Sequence, residues 1–321
     1  MSAGRIDTDA LLARIRISDV VSRRTKLRKA GRELVGLCPF HSERSPSFVV
    51  YDATGGYHCF GCGANGDAIR FLMDSEHVDF RRACEMLANG DLPVVSEVER
   101  AEMRKEDAAA RAASIELAVQ VWRNSVALNG KTAADVYLQS RGIVIKPKRF
   151  RFARCPAWFK PETGETGPDL PALVCGVTDE ADQFIGLQRI FLRDGGRAKA
   201  DMKNPKLSLG RPAGGAIRLG GVEGHIVVVE GPEDGASVRQ TLMRSGDVSP
   251  VWIACGTSMM PQIKFPPEVR KITIGGDNNK AGRAAAGKAK DAYQDRGLEV
   301  RAVYPDDAFG DWNDQLKGIK K

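Results

Sequence analysis

No apolar run in the sequence approaches the roughly 20 residues that cross a bilayer. The opening stretch, MSAGRIDTDALLARIRISDVV, carries acids and lacks the apolar core of a secretory signal. The expected location is the cytoplasm, with no membrane partner. Cysteine is scarce: seven in 321 residues, unevenly spaced, too few for a disulfide scaffold. Cytosolic thiols stay reduced, so some of the seven should be ligands. There is no tandem repeat and no extended low-complexity tract, which excludes a solenoid. A phosphate-binding P-loop is missing as well. GRAAAGKAK, from Gly282 to Lys290, has the glycine and lysine spacing, but Ala289 stands where Ser or Thr would bind magnesium. An ATPase site is excluded there, and any helicase is expected to be a separate protein.

What is present is an ordinary globular composition, 42% hydrophobic and 28% charged, in a length that suits two or three units of roughly 100 to 150 residues. The net charge of +7 fits a polyanionic partner without saying which. Texture changes along the chain. Residues 1–92 are rich in Cys, Gly, aromatic and basic residues. They end in GDAIRFLMDSEHVDFRRACEMLA, where Ile69, Leu72 and Met73, then Phe80, Ala83, Cys84 and Leu87, recur at helical spacing, with Asn65 or Asp67 placed to cap the first of two short helices. Residues 93–132 include an Ala-rich stretch charged with both signs, which suits a solvated helix joining two domains. Residues 133–222 are a mixed, basic region with strand-like runs ALVCGV and FIGLQRIFL. Residues 223–321 alternate Val/Ile runs with helical stretches, HIVVVEG, VWIACG, KITIGGD and VRAVYP, which describes a parallel sheet with helices on both faces. The expected fold class is α/β: a zinc ribbon, a helical linker, a mixed α+β subdomain and a C-terminal parallel sheet.

Two residues separate Cys38 from His41, and two separate Cys59 from Cys62. Two short pairs, each on a turn, supply the four tetrahedral ligands of a closed structural zinc site. Pro39 sits in the first pair, and Gly61 and Gly63 permit the tight turn of the second. His58 is a rival to His41, but if YHC is extended its side chain faces away from that of Cys59. Cys84, Cys155, Cys175 and Cys255 stand singly in apolar or strand contexts and are expected to pack.

LCPFHSERSPSF followed by YHCFGCGANGDAIRFLM closely resembles the zinc-binding domain of bacterial and phage DNA primases. The resemblance covers roughly the first ninety residues and extends to the intervening SPSF and GD positions. It implies a domain that helps choose a start site on single-stranded DNA. Arg23, Arg24, Lys26, Arg28, Lys29 and Arg32 form a basic run that can follow a phosphate backbone. Phe48, Tyr51, Tyr57 and Phe60 could offer stacking faces to bases, or could equally be core.

Glu230 ends the strand-like HIVVV run and Asp277 the KITIGG run, at the strand ends where α/β sheets bind ligands. Hard oxygen ligands at such a point suit magnesium. GPEDG, ACGT and GGDNNKAG together resemble the Toprim domain of primases and topoisomerases. The resemblance implies that Glu230 serves in proton transfer or metal binding, that Asp234 is the acid four residues on, and that Asp277 is the first aspartate of a DxD pair. Asn279 stands at the second position, where an amide oxygen can coordinate but the negative charge is lost. Gly256 and Thr257 take the place of the connecting GT turn. Asp311 and Asp314, in GDWNDQL, resemble the late acidic motif of phage and plasmid primases. The implied magnesium or manganese set is Glu230, Asp277, Asn279 and Asp311. The segment preceding the Toprim part resembles the basic stretch of primases that contacts nucleotide and template. It offers Arg189, Arg193, Arg197, Lys199, Lys203, Lys206 and Arg211 against Asp194 and Asp201, and Lys280 is expected to join the nucleotide contacts.

The function expected from these residues is a DNA primase making short RNA primers on single-stranded DNA from ribonucleoside triphosphates. Structural zinc and catalytic magnesium or manganese would serve it. YLQSRGI and GGAIRLG resemble segments of mobile-element primases. Two other readings are a non-catalytic zinc/Toprim single-stranded DNA-binding protein, kept open by Asn279, and a Toprim topoisomerase or nuclease using the same carboxylates, of which the topoisomerase would need a nucleophilic tyrosine domain.

Overall fold

A computed structural model describes residues 8–88 and 96–321. The chain divides into two units, Met1–Arg111 with Lys160–Thr163, and Ala112–Phe159 with Gly164–Lys321. The expected boundary at residues 92–93 lies outside the described residues. The expected boundaries at 132–133 and 222–223 fall inside the second unit. Among the described residues no helix is long and apolar enough to cross a membrane.

The first unit is built on an antiparallel sheet whose strands follow chain order: Arg28–Ala30, Glu33–Gly36, Phe48–Tyr51, Gly56–Cys59 and Asn65–Asp67. Alternation along Gly56–Cys59 buries Tyr57 and Cys59 and turns His58 the other way. Phe48 stacks on Tyr57 at 5.0 Å, and Phe71 meets Tyr57 edge-on at 5.5 Å. Phe48 and Tyr57 are therefore core residues and offer no face to a base; Phe60 is exposed and Tyr51 half-buried. The two short helices are Ala68–Glu76 and Phe80–Ala88. Asp67 caps the first, accepting from the Arg70 amide at 2.8 Å, while the Asn65 amide donates to the Gly63 carbonyl. Ile69, Leu72, Ala83, Cys84 and Leu87 are buried as their spacing implies. Phe80 instead faces solvent, at 46% exposure.

The stretch read as a solvated linker is the helix Glu97–Asn124, and it is packed in both units. In the first, Arg100 is buried and donates to the carbonyls of Leu12 and Ile15 at 2.8 and 2.9 Å. In the second, Ala118 and Val121 are buried with Ala153, Val174 and Phe191, and Trp122 packs against them. Small alanines among charges read as a spacer, yet they are what lets a helix approach closely.

The second unit contains two sheets. One is antiparallel, in the order Lys206–Gly210, Phe184–Phe191, Asp169–Thr178, Phe150–Pro156, Val126–Ala127. The eight residues Pro171–Thr178 are all buried because both faces of that strand are covered. In the other sheet, His225–Val229 lies between Val251–Ile253 and Lys271–Gly275, and Glu299–Val303 follows, all parallel. Ile217–Leu219 adds an antiparallel edge beside Val251–Ile253, so the sheet is mixed and begins before residue 223. Alternation sorts its strands between two layers. Val227 and Val229 pack with Ala236 and Val238 of the helix Pro232–Arg244 and with Trp312 of the helix Trp312–Lys317. Ile226 and Val228 pack with Ala286, Ala289 and Tyr293 of the helix Lys280–Gln294. The first of these cores also takes in Phe150, Leu173, Cys175 and Ile190. The mixed subdomain and the parallel sheet thus share one core. GRAAAGKAK lies inside a regular helix, with no phosphate-cradling loop.

Candidate metal centres

Cys38 follows the strand Glu33–Gly36, and Cys59 ends the strand Gly56–Cys59. The ligand atoms of Cys38, His41, Cys59 and Cys62 all lie within 4.8 Å of one another. Cys38 Sγ and Cys62 Sγ are 3.8 Å apart, and Cys59 Sγ is 3.8 Å from His41 Nδ1. A tetrahedron with zinc–sulfur bonds of about 2.3 Å places two sulfurs about 3.8 Å apart. The donor set therefore fits zinc. Amides steady the thiolates: Phe40 N donates to Cys38 Sγ and Cys62 N to Cys59 Sγ, both at 3.4 Å. Gly63 has φ +77°, and a Cβ on Gly61 would lie 2.7 Å from His41 Nε2, so both glycines are needed for the turn.

One residue that the spacing did not reveal is Glu43. It lies 3.3 Å from His41 Nε2 and accepts from the Cys38 amide at 2.7 Å and the Ser47 amide at 3.1 Å. It fixes which histidine nitrogen faces the cysteines, as carboxylates commonly do at zinc sites. Burial raises its carboxyl pKa, but the hydrogen bonds from Ser47 and Cys38 outweigh this and hold it below the usual range.

The second centre lies at the C-terminal ends of the parallel strands. Glu230 follows His225–Val229, and burial pushes its carboxyl up. Asp277 lies two residues past Lys271–Gly275. Burial, then the neighbouring Glu230 and Asp311 charges, push it up to about 7. Asp234, in the first turn of Pro232–Arg244, is driven well above the carboxylate range by burial and by Asp277 and Asp311. It accepts from the Asn313 amide at 3.2 Å. Asp277 Oδ1 is buried without a hydrogen-bond partner. Acids that raise one another, with a buried carboxylate oxygen unpartnered, form a donor set that fits a hard divalent cation. The gathering is looser than at the zinc site: among the described residues only the zinc ligands bring three or more such atoms within 4.8 Å of one another.

Asn279 is exposed and its side-chain oxygen accepts from the Gly282 amide at 2.9 Å, capping Lys280–Gln294. Asp311 likewise caps Trp312–Lys317 through the Asp314 amide at 2.7 Å. The neighbour Asn278, which sequence reasoning passed over, is buried and ties its turn to the carbonyl of Phe309 at 3.3 Å.

The basic residues separate into three groups. Arg189 is 3% exposed and donates to the carbonyls of Pro156 at 2.7 Å and Ser208 at 3.2 Å, so it holds strands together and does not face a nucleotide. Lys199 and Lys206 both bind Glu233, at 2.8 and 3.2 Å. Arg193, Arg197, Lys203, Arg211 and Lys280 are exposed, Arg193 within 3.5 Å of Asp201. In the first unit Arg23, Arg24, Lys26, Arg28 and Lys29 are exposed, Arg24 is paired with Glu76, and the half-buried Arg32 is paired with Glu106 at 2.7 Å. Glu233, which the spacing did not single out, is the partner of Lys199 and Lys206. Burial would raise its carboxyl, yet Lys206 and Lys199 bring it down to about 2, and Tyr137 donates to it at 2.8 Å. The only sequence signal was a second acid beside Asp234 inside GPEDG, in a helix's first turn.

An N-terminal Cys3His ribbon and a mixed sheet carrying acids at its strand ends define a zinc-finger Toprim protein. The comparisons agree. Residues 5–102 match the CHC2 zinc finger, residues 225–318 the Toprim domain, and residues 112–219 a domain of unknown function. The DNA primase of Haemophilus influenzae is 40% identical over 141 residues, 42% of this chain and 23% of that protein. The DNA primase of Mycolicibacterium smegmatis is 47% identical over 93 residues, 28% of this chain and 15% of that protein. The matched stretches thus span less than a quarter of these relatives. The crystal structure of the zinc-binding and RNA polymerase domains of Aquifex aeolicus primase matches at 23% identity and a TM-score of 0.42, over 98% of this chain and 83% of that one. The zinc finger, the Toprim domain and the primase relatives together support a DnaG-type primase.

Proposed function

We propose that this chain is a DNA primase that copies single-stranded DNA into short RNA primers from ribonucleoside triphosphates, working in the cytoplasm with a replicative helicase, in bacterial, phage or plasmid replication. The observation that carries the reading is the unpartnered, buried Asp277 oxygen at a strand end, beside Glu230, Asp234 and Asp311, in a chain that also carries a CHC2 zinc finger. In the reaction a 3'-hydroxyl attacks the α-phosphate in line; the new O–P bond forms as the bond to the β-phosphate oxygen breaks, and pyrophosphate leaves. Glu230, made more basic by burial, is placed to take the hydroxyl proton. Asp277, Asp234 and Asp311 would hold magnesium or manganese, which stabilises the attacking and leaving oxygens. A site that gathers loosely before substrate arrives suits magnesium, which keeps several waters and completes its shell with phosphate oxygens. Lys199 and Lys206 supply positive charge for the triphosphate, and the exposed Arg28 and Lys29 supply it for the template backbone.

A second reading, a non-catalytic zinc/Toprim single-stranded DNA-binding protein, is favoured by one observation: the Asn279 oxygen is given to a helix cap. Synthesis of labelled oligoribonucleotides on single-stranded DNA separates the two. The primase reading expects product that depends on magnesium or manganese and is lost in Asp277→Asn. Wild-type protein that binds DNA but makes no product with either metal would overturn it and leave the second reading.

A further inference from the structure

Glu233 is one residue before Asp234 and is assigned no part in the chemistry above. Its carboxylate is 9% exposed, and three groups converge on it: Lys199 Nζ at 2.8 Å from Oε1, Lys206 Nζ at 3.2 Å from Oε2, and the Tyr137 hydroxyl at 2.8 Å from Oε1. The lysine side chains are 31% and 34% exposed, so each reaches solvent along part of its length while its ammonium is held by Glu233. An ammonium has three N–H donors, and Glu233 takes one from each lysine. One carboxylate against two ammoniums leaves a net positive charge beside the acid centre. Tyr137 is fully buried and its hydroxyl donates to Oε1, the oxygen that Lys199 also contacts.

We propose that Glu233 is a positioning residue that holds Lys199 and Lys206 as a two-ammonium fork for the β- and γ-phosphates of the incoming nucleotide, an inference that rests on the primase reading. A flexible lysine loses about as much rotamer entropy on binding phosphate as it gains from an exposed contact. A lysine already held by a buried carboxylate has lost that freedom before the nucleotide arrives. Two ammoniums offered to the terminal phosphates favour a triphosphate over a monophosphate.

The test compares binding of ATP and AMP to the full chain with magnesium, by calorimetry, in wild type, Glu233→Gln and Glu233→Asp, with melting temperatures measured alongside. The glutamine presents an NH2 group to one ammonium. The aspartate keeps the buried charge but withdraws it by one methylene, so it reports even if the glutamine variant fails to fold. The expected result is that ATP affinity falls about tenfold in Glu233→Gln and about threefold in Glu233→Asp while AMP affinity is unchanged. In primer synthesis the KM for nucleotide rises with little change in kcat. Folded variants that keep the wild-type ATP-to-AMP ratio, or that lose both ligands equally, overturn the proposal. A wild-type chain that synthesises primers yet binds ATP no better than AMP overturns it and leaves the primase reading standing. A wild-type chain that makes no primer and binds neither nucleotide overturns the primase reading itself.

Discussion

At the zinc centre four ligands from two turns close on one point, with amides and Glu43 already holding the thiolates and the imidazole in place. At the acid centre, Glu230, Asp234, Asp277 and Asp311 come from separate strand ends and helix starts, and leave a carboxylate oxygen buried without a partner. The zinc ligands suit a metal that completes a fold, whereas under the primase reading the acids suit one that completes its coordination with phosphate oxygens. Soft sulfur donors can be packed tightly around zinc. Carboxylates packed that tightly without a cation would repel one another; burial first, and then the neighbouring acids, already raise the pKa of Asp277 and Asp234 at the looser spacing.

The contrast breaks most sharply at the zinc ligands. Structural zinc in small domains is worth about 10 to 16 kcal/mol. Cys59→Ser is therefore expected to abolish stoichiometric zinc by metal analysis and to expose the first unit to proteolysis, while the melting transition of the second unit stays where it was. Next in size is Arg189→Ala, which empties a buried position in the strand Phe184–Phe191 and leaves the carbonyls of Pro156 and Ser208, on two other strands, without their partner. Urea unfolding should show a loss of about 3 kcal/mol, with nucleotide affinity unchanged for the folded fraction.

A smaller effect is expected from pH. In the folded chain without divalent metal, Asp277 stays protonated up to about 7 and Asp234 well above its ordinary range, whereas in the unfolded chain both ionise near pH 4. The folded state then binds more protons, so stability falls as pH rises from about 4 and levels off once both acids have ionised. Magnesium competes with those protons. Melting temperatures across about pH 5 to 8 should therefore show a magnesium-induced rise that grows with pH. A rise independent of pH would place the ion elsewhere. The smallest effect belongs to Asn279→Asp. Asp caps a helix about as well as Asn, so unfolding should move by less than about 0.5 kcal/mol while magnesium affinity increases.

The two centres also differ in how far the chain alone discloses them. Cys38, His41, Cys59 and Cys62 form two pairs with two residues between the members of each, and strand alternation alone chooses His41 over His58. The helices Ala68–Glu76 and Phe80–Ala88 and the Asp67 cap are local in the same way. Glu230 and Asp277 were legible because each follows a Val/Ile run. The lysine fork was not, because Tyr137 and Glu233 are 96 residues apart and meet only through the shared core of two sheets. Arg189 misled for a related reason. A basic residue in a basic segment reads as a phosphate contact until strand register shows it between Val174 and Leu207. Phe48 and Tyr57 could be stacking platforms or core on composition alone, and the packing of Phe71 makes them core.

The most direct test is a single preparation of Glu230→Gln, assayed for zinc content, single-stranded DNA binding and primer synthesis beside wild type. The account expects one zinc per chain and unchanged DNA binding, with synthesis reduced about 100-fold or more. Synthesis at the wild-type rate, or its loss together with zinc and DNA binding, would contradict a chemical centre separate from the zinc ribbon.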